Sequence, residues 1–367
     1  MDEKKYWVGF NHVRGIGAVR FQRLLEYFKD LETAWNATES ELRNAGIGEK
    51  PLSNLVRFRR QNDLDQIYEG IREKGIEIVT ATDQNYPQQL KQIGNPPPVL
   101  YVKGKILEED SRSVAVVGTR KITAYGKNVV HELGNLLAQN HVTVISGMAR
   151  GVDSEAHQAA LTAGGRTVAV LGCGIDIVYP PENYQLAKQI IENGALVSDY
   201  APGTQPEGIN FPPRNRIIAG LSMATVVIEA GLRSGALITA SFAADQGKDV
   251  FAVPGSIYAP QSKGTNKLIF DGAHPLVRFE SIFEILDLEH VQYQKKMQNE
   301  LPTDETELLI LKILQKESLH IDDVQAISGL PIERISSALS FLELKGFVKK
   351  TGNMIFSAIY DYKEEYS

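Results

Sequence analysis

Residues 113–118 read SVAVVG, an apolar run that ends in glycine, and it is the first of a series. Similar runs follow at intervals filled by helical patterns: VTVIS (142–146), TVAVLG (167–172), ALVSD (195–199), MATVVIEA (223–230), DVFAVPG (249–255) and a short PLVR (275–278). Continuous apolar strands that alternate with helices are typical of a parallel sheet covered on both faces. The series therefore predicts a doubly wound α/β domain.

The flanks of this series set the limits of the domain. Two strand-like segments precede it, GIEIVTATD and PVLYVKG, and the loop NYPQQLKQIGNPPP separates them. Both segments are rich in β-branched residues and are bounded by Gly, Pro or Asn, as strands usually are. We therefore place the α/β domain over residues 76–288.

Residues 1–75 have apolar side chains at helical spacing, with breaks at two Gly-Ile-Gly segments, residues 15–17 and 46–48. Helix, Gly-X-Gly turn, helix is the pattern of a helix-hairpin-helix unit (a SAM/helix-hairpin-helix-like domain), whose turn amides can hold a nucleic-acid phosphate. Glycine also simply ends helices. The pattern favours a helical packing module, with DNA contact as the alternative.

The C-terminal part of the chain reads as a polar linker over 289–303 and a winged helix over 304–360. Three short helical patterns precede the strand-like FVKKTGNMIFS. Between residues 304 and 350 there are eight acidic and six basic residues, whereas a duplex reader usually carries a basic surplus. The balance favours a partner-docking or regulatory role over DNA reading.

The whole chain has 367 residues, a net charge of −6 and a pI near 5.8, so any site for an anion must be local. Cys173 is the single cysteine, which excludes an internal disulfide and fits a reducing compartment. The N-terminus, MDEKKYWVGF, lacks the apolar core of a signal peptide, and no apolar run approaches the length of a spanning helix. We expect a cytoplasmic protein with no membrane contact.

In open α/β sheets, ligands bind at the carboxyl ends of the strands. Basic side chains occur at four of the five main strand-to-helix connections. A single such arginine is usually solvated or ion-paired, and glycine can serve close packing alone, but four basic connections at one edge favour an anion site. The candidate residues are Gly118, Thr119, Arg120, Lys121, Ser146, Gly147, Arg150, Gly151, Arg214, Asn215, Arg216 and Arg233.

The segment FPPRNR (211–216) strengthens this hypothesis. Its prolines predict a helix start, which places Arg214 and Arg216 in the first turn, where the helix dipole opposes cations. A negatively charged partner should offset that cost. The carboxylates of Asp153, Asp199 and Glu229 could neutralise only some of the basic groups at this edge.

The spacing of the connections indicates which anion would bind. GTRKITAYG lacks the G-x-G-x-x-G of a dinucleotide site, and no Walker loop occurs. Because neighbouring strands lie about 4.8 Å apart, basic groups above four connections form a row on the order of 15 Å long. Such a row suits several nucleotides of single-stranded DNA. Aromatic residues in or near the loops could stack on bases, although core packing explains each one better: Tyr125, Tyr179, Tyr200, Phe211 and Tyr258.

A catalytic centre is not predicted. Asp153, Glu155 and His157 resemble a metal or acid–base cluster, but a helix would turn Glu155 away from the other two. Ser146 lacks an evident His–Asp relay, and Glu229 is expected to pair with an arginine or cap a turn. We expect no catalytic residue, no metal and no cofactor.

Five ordered motifs resemble the DprA (Smf) family of bacterial natural transformation: VAVVGTRKITAYG, ISGMARGVDSEAHQAAL, VAVLGCGIDIVYPPEN, FPPRNRIIAGLS and EAGLRSGALITASFAADQGKDVFAVPG. The resemblance implies an extended Rossmann domain that binds single-stranded DNA and forms a homodimer. It further implies that the protein protects incoming strands and loads the RecA recombinase past single-strand-binding protein, with no established enzymatic activity.

The resemblance also implies roles for individual residues. Arg120, the Ser146–Gly151 loop, Arg214 and Arg216 correspond to strand-contacting or pocket-forming positions. Pro181 stands where many members have a basic residue, and Met148 where glycine is frequent, so a strand contact from the first of these loops is not expected here.

A rival interpretation is a nucleotide-processing enzyme of the Rossmann-like phosphoribohydrolase group, which would use the same edge for one nucleotide. That group carries a P-G-G-x-G-T motif, and EAGLRSGAL (229–237) is only a loose relative of it.

Overall fold

The computed structural model describes residues 3–288, 304–315, 318–344, 347–352 and 354–358. They belong to two compact units, Met1–Ile282 and Phe283–Ser367, and each is described by itself. The predicted linker over 289–303 lies outside the described residues. Within the described ranges, no helix combines the length and apolar character needed to cross a membrane.

Six helices open the first unit, as the apolar spacing predicts. Side-chain caps fix three of the starts: Asp30 accepts a hydrogen bond from the Thr33 amide, Thr38 and Glu41 form a reciprocal capping box, and Asp63 accepts from the Asp65 and Gln66 amides. The helices are α1 (Lys4–His12), α2 (Ala18–Phe28), α3 (Leu31–Asn36), α4 (Glu39–Asn44), α5 (Glu49–Gln61) and α6 (Leu64–Glu73).

A nine-stranded sheet follows, in the order β1-β2-β6-β5-β4-β3-β7-β8-β9. The strands from β6 to β9 in that order are parallel, whereas β2 runs antiparallel to both β6 and β1. The strands are β1 (Glu77–Thr80), β2 (Val99–Gly104), β3 (Ser113–Val117), β4 (Thr143–Ser146), β5 (Thr167–Val170), β6 (Gly194–Ser198), β7 (Ala224–Val227), β8 (Asp249–Ala252) and β9 (His274–Pro275). The predicted α/β fold is confirmed, with an antiparallel extension at one edge.

Helices cover both faces of this sheet. On one face α11 and α12 pack over an apolar layer from the strand interiors, and on the other α8, α9 and α10 pack together against β3 to β6. The helices are α7 (Gln88–Lys91), α8 (Ala124–Gln139), α9 (Val152–Thr162), α10 (Tyr184–Asn193), α11 (Phe211–Leu221), α12 (Ala236–Asp245), α13 (Lys263–Phe270) and α14 (Ser281–Ile285). The sheet is therefore doubly wound.

The N-terminal helices share a core with the sheet. Trp7 and Phe10 belong to the same buried cluster as Tyr101 of β2 and Leu196 of β6. The Tyr101 hydroxyl donates to Asn11 Oδ1 at 2.9 Å. The predicted boundary at residue 75 thus falls between α6 and β1, but apolar contacts continue across it.

The second unit has three helices and a small antiparallel sheet in the order β10-β12-β11. Ile335, Leu339 and Leu342 are buried along its third helix and form one apolar stripe. Its elements are α15 (Glu305–Leu314), β10 (Leu319–His320), α16 (Ile321–Ser328), α17 (Ile332–Leu344), β11 (Val348–Gly352) and β12 (Ile355–Ala358). This is the predicted winged helix.

Candidate nucleic-acid interface

A cleft of about 910 Å³ opens at the carboxyl edge of the parallel strands. The connections after β3 and β7 line it, together with the first turns of α11, α12 and α13. Half of the candidate residues line this cleft: Gly118, Thr119, Arg120, Arg214, Asn215 and Arg233. The lining does not include Lys121, Ser146, Gly147, Arg150, Gly151 or Arg216.

Three exposed cations surround the cleft: Arg120, Arg233 and Lys263. Within the described part of the chain, none of them forms an ion pair with a carboxylate. Lys263 was missed by the sequence analysis because it does not follow a strand directly. It begins α13, after the long connection from β8 and the turn Pro260–Ser262. The cleft is therefore a local positive site on an acidic protein.

A close backbone approach fixes the position of Arg120. The Thr119 amide donates to the Glu229 carbonyl at 2.7 Å, and the Val152 amide donates to the Thr119 carbonyl at 3.1 Å. Gly151 has φ +77°, and a Cβ there would lie 2.3 Å from the Thr119 carbonyl oxygen. The connections after β3 and β4 can approach this closely only because residue 151 is glycine.

Arg214 forms the floor of the cleft and is only 4% exposed. Its Nη1 donates to the Gly147 carbonyl at 2.7 Å and to the Val170 carbonyl, and its guanidinium lies 5.8 Å from the Phe211 ring centre. A Cβ on Gly147 would lie 2.7 Å from both Arg214 Nη2 and Asp153 Oδ2. The carbonyl oxygens of Gly147 and Val170 and the buried carboxylate of Asp153 thus offset the charge of Arg214. The sequence pattern predicted that a ligand would do so.

Arg216 and Arg150 have carboxylate partners. Arg216 Nη2 lies 2.9 Å from Asp199 Oδ2, and its Nη1 donates to the Asn95 carbonyl. Arg150 is exposed and pairs with Glu182, which raises the pKa of Arg150 and lowers that of Glu182. Neither arginine lines the cleft. The pairing with Asp199 offsets the charge of Arg216, so its contact with a ligand stays a prediction.

Of the other polar candidates, Ser146 and Asn215 donate to backbone carbonyls, and Lys121 lies outside the lining of the cleft. The Ser146 hydroxyl is buried and donates to the Val116 carbonyl at 2.6 Å. Asn215 is also buried, and its Nδ2 donates to the Gly235 carbonyl at 3.3 Å. Lys121 is exposed beside the cleft. Ser146 and Asn215 therefore position neighbouring loops, and Lys121 is free to meet a longer ligand.

Two aromatic rings lie at the cleft. Tyr179 and Phe211 have ring centres 5.7 Å apart, and the Arg120 guanidinium lies 5.9 Å from the Phe211 ring centre. Both rings are half-buried and line the cleft. The Tyr200 hydroxyl donates to the Asn210 carbonyl, and the Tyr125 hydroxyl donates to the Pro254 carbonyl. Tyr258 is 86% exposed and lies outside the lining. Tyr179 and Phe211 are thus the rings that a base at the cleft would meet.

The side chains that resembled an acid–base cluster are dispersed. His157 Nδ1 lies 2.6 Å from Thr167 Oγ1, and burial lowers the pKa of His157 to about 3. Glu155 pairs with Lys127 at 2.9 Å on the surface. Glu229 accepts from the amide and hydroxyl of Thr123, the residue that caps α8, which confirms the capping alternative. Among the described residues, no His, Cys, Asp or Glu cluster is arranged to hold a metal.

Asp153 should make the stability of the fold depend on pH. Burial raises its pKa to about 6 from an ordinary 3.8, and Arg214 acts in the opposite direction. Because the unfolded chain ionises this group first, the free energy of unfolding should fall as pH rises from about 4 to about 6. In Asp153→Asn this fall should be smaller by roughly 3 kcal/mol. Urea unfolding of both proteins across this range measures the difference, and parallel curves would contradict it.

Comparisons with known proteins agree with this geometry. A family model described as DNA recombination-mediator protein A matches residues 77–287, and one described as the DprA winged helix domain matches residues 294–353. Protein Smf of Synechocystis sp. is 35% identical over 389 residues, which cover 96% of this chain and 98% of that protein.

Two solved structures are similar as well. The X-ray structure of DNA processing protein A from Streptococcus pneumoniae is 33% identical with a TM-score of 0.69, covering 77% of this chain and 98% of that one. The Helicobacter pylori protein, described with its single-stranded DNA binding mode, is 30% identical with a TM-score of 0.52. That match covers 57% of this chain and 95% of the other.

Proposed function

The chain belongs to the DprA (Smf) family, and on that premise we propose that it is a recombination mediator that binds single-stranded DNA in the carboxyl-edge cleft. The observation that carries the proposal is one cleft lined by the Phe211 ring and by three exposed cations, Arg120, Arg233 and Lys263, which form no ion pair with a carboxylate of the described residues. Single-stranded DNA has both of the features that this arrangement recognises, a charged backbone and unstacked bases.

In the proposed complex the three cations contact phosphates, and Phe211 and Tyr179 offer ring faces to one or two bases. Phosphate contacts release counterions, so the affinity should depend strongly on salt. Every base has a π face, so stacking tolerates any sequence. Lys121 and Arg150 are exposed outside the lining, and in the proposed complex they would contact a longer strand, with Arg150 exchanging Glu182 for a phosphate.

We extend the proposal to the cellular role. As a homodimer in the cytoplasm, the protein would protect incoming strands during natural transformation and load RecA onto them past single-strand-binding protein. Binding through the backbone supports this role because it does not select a sequence. The winged helix, whose recognition helix lacks a basic surplus, would dock a protein partner or regulate the complex.

The proposed function is not enzymatic. A nucleotide-processing enzyme would need an acid or base at the surface of the cleft. The single carboxylate in the lining is that of Asp153, which is 7% exposed and lies beside Gly147. This placement favours binding over catalysis.

Fluorescence anisotropy of labelled poly-dT tests the proposal. We expect tight binding that weakens from low to high salt and survives an excess of duplex DNA, because the aromatic pair requires unpaired bases. Displacement by a nucleoside monophosphate, or release of free base from it, would instead favour the nucleotide-processing enzyme. Absence of poly-dT binding at low salt would overturn the proposal.

A further inference from the structure

The two Gly-Ile-Gly turns of the N-terminal helices meet on one surface. A Cβ on Gly15, in the first turn, would lie 3.2 Å from Cγ of Pro51, which follows the second turn. Asn54 Nδ2 of α5 donates to the Arg14 carbonyl at 2.9 Å. The Arg23 side chain of α2 passes the second turn, 3.5 Å from where a Cβ on Gly46 would stand. The segments that the sequence separates by about 30 residues therefore form one surface.

Cations surround the point where the turns meet. We call this surface the Gly-Ile-Gly patch and define its cations as Arg14, Arg20, Arg23, Lys50 and Arg57. All are exposed except Arg20, which is half-buried and donates to the Gly15 carbonyl at 2.7 Å. In the described structure none of the five pairs with a carboxylate.

Three acidic side chains lie close to the patch along the chain, Glu26, Glu41 and Glu49, and its five cations outnumber them. Glu26 accepts from Gln22 Nε2 at 2.9 Å. Glu49 pairs with Arg43 at 2.8 Å, and Glu41 accepts from the amide and hydroxyl of Thr38. A protein with a net charge of −6 thus carries a second concentrated positive surface, apart from the cleft. Such a local field attracts polyanions even when the whole molecule is acidic.

The backbone at both turns is open as well. Gly17 precedes α2 and Gly48 precedes α5, and neither helix start has a side-chain cap. No atom lies within 4 Å of the position that a Cβ would take on either glycine. Both glycines are exposed, so these uncapped helix starts lie at the surface beside the cations, and amides with cations are the groups that hold a phosphate.

We propose that the Gly-Ile-Gly patch binds the sugar-phosphate backbone of duplex DNA. The contacts that join the two turns involve no aromatic ring. Tyr27, one turn after Arg23 on α2, is exposed but packs edge-on against Phe28 with ring centres 4.8 Å apart, so we assign the binding to the cations and amides and not to base stacking. A duplex presents its phosphates outward and needs only cations and amides. The inference goes beyond the proposed function, since it gives the protein a second nucleic-acid site with a different preference.

A labelled blunt-ended duplex tests this site by fluorescence anisotropy across a salt series. In the variant Arg14→Gln, Arg23→Gln, Lys50→Gln, the slope of log Kd against log salt should shrink by about 2.7, or about 0.9 for each phosphate that the protein no longer neutralises. Poly-dT affinity should stay within about twofold, a negligible free-energy change, because the cleft is intact. A matched control removes three exposed cations elsewhere in the first unit: Arg72→Gln, Lys91→Gln, Lys105→Gln.

Each outcome bears on the proposal. Loss of duplex affinity in the patch variant alone, with poly-dT binding retained, supports it. Equal duplex binding by patch variant and control overturns it, and so does displacement of the duplex by polyglutamate at equal charge concentration. If the patch variant lost both duplex and poly-dT binding with an unchanged melting temperature, the proposal would also be overturned, because both ligands would then depend on the same site. Failure of the cleft proposal would appear separately, as a parent protein that binds duplex but not poly-dT.

Discussion

Poly-dT binding is expected to weaken by about 100-fold when Arg120, Arg233 and Lys263 are replaced together by glutamine. Each charge-assisted hydrogen bond to a phosphate contributes at least about 1 kcal/mol, and 1.4 kcal/mol corresponds to a factor of ten in Kd. The three side chains are exposed and form no ion pair within the described ranges, so their replacement should leave the melting temperature nearly unchanged. Anisotropy titrations at low and moderate salt measure the loss and the reduced salt slope.

The variant with Arg72, Lys91 and Lys105 replaced by glutamine is the control, because it changes the net charge equally without touching the cleft. A comparable loss of affinity in this control would show that binding follows overall charge. Parent-like binding by the cleft variant would show that the strand lies elsewhere on the protein.

Gly151→Ala should lower the free energy of unfolding by roughly 3 kcal/mol or more. The backbone at φ +77° and ψ −125° is a conformation that residues with a side chain rarely adopt, and the new Cβ would lie 2.3 Å from the Thr119 carbonyl oxygen. The connection after β3 must then move, and Arg120 moves with it. Poly-dT affinity should fall together with stability, which urea unfolding and anisotropy measure on the same preparation.

The variant Gly164→Ala separates the cost of backbone strain from the cost of the steric clash. Gly164 has φ +72°, but no atom lies within 4 Å of the position of its Cβ. This control should cost only the backbone strain, about 1 kcal/mol, and should leave poly-dT binding unchanged. Equal destabilisation by both substitutions would contradict a close approach at Gly151.

The sequence predicted the parallel part of the fold because buried strands between helices have a distinct apolar pattern. The direction of β2 had no such signal: its run VLYVKG is apolar in either orientation, and its antiparallel pairing with β6 depends on tertiary packing. The sequence also did not predict that the N-terminal helices share a core with the sheet, because each has an apolar face that could equally pack within its own domain.

At the cleft, the sequence predicted which arginines lie at the carboxyl edge of the sheet, but not which of them are exposed to a ligand. Arg120 lies in the connection directly after β3, and Arg214 lies in the first turn of the helix that comes after β6, yet Arg120 is exposed and Arg214 is buried at the floor of the cleft. Arg214 is buried because Gly147 has no side chain to displace its guanidinium and because the Phe211 ring packs against it. The sequence does not show that these residues meet in the fold. Lys263 shows the reverse case, in which a loop brings a distant charge to the edge.

The burial of Arg214 has a consequence for the entropy of association. Its guanidinium is already held by the carbonyl oxygens of Gly147 and Val170 before any ligand arrives, so this part of the cleft has no rotamers to lose. Ordering one long side chain on binding costs about 0.5–1.5 kcal/mol, and here that cost falls mainly on Arg120, Arg233 and Lys263. In the proposed complex, a floor that is already ordered and a rim of exposed side chains would let successive phosphates exchange places without rebuilding the cleft, so a bound DNA strand would shift along the protein while it stays attached.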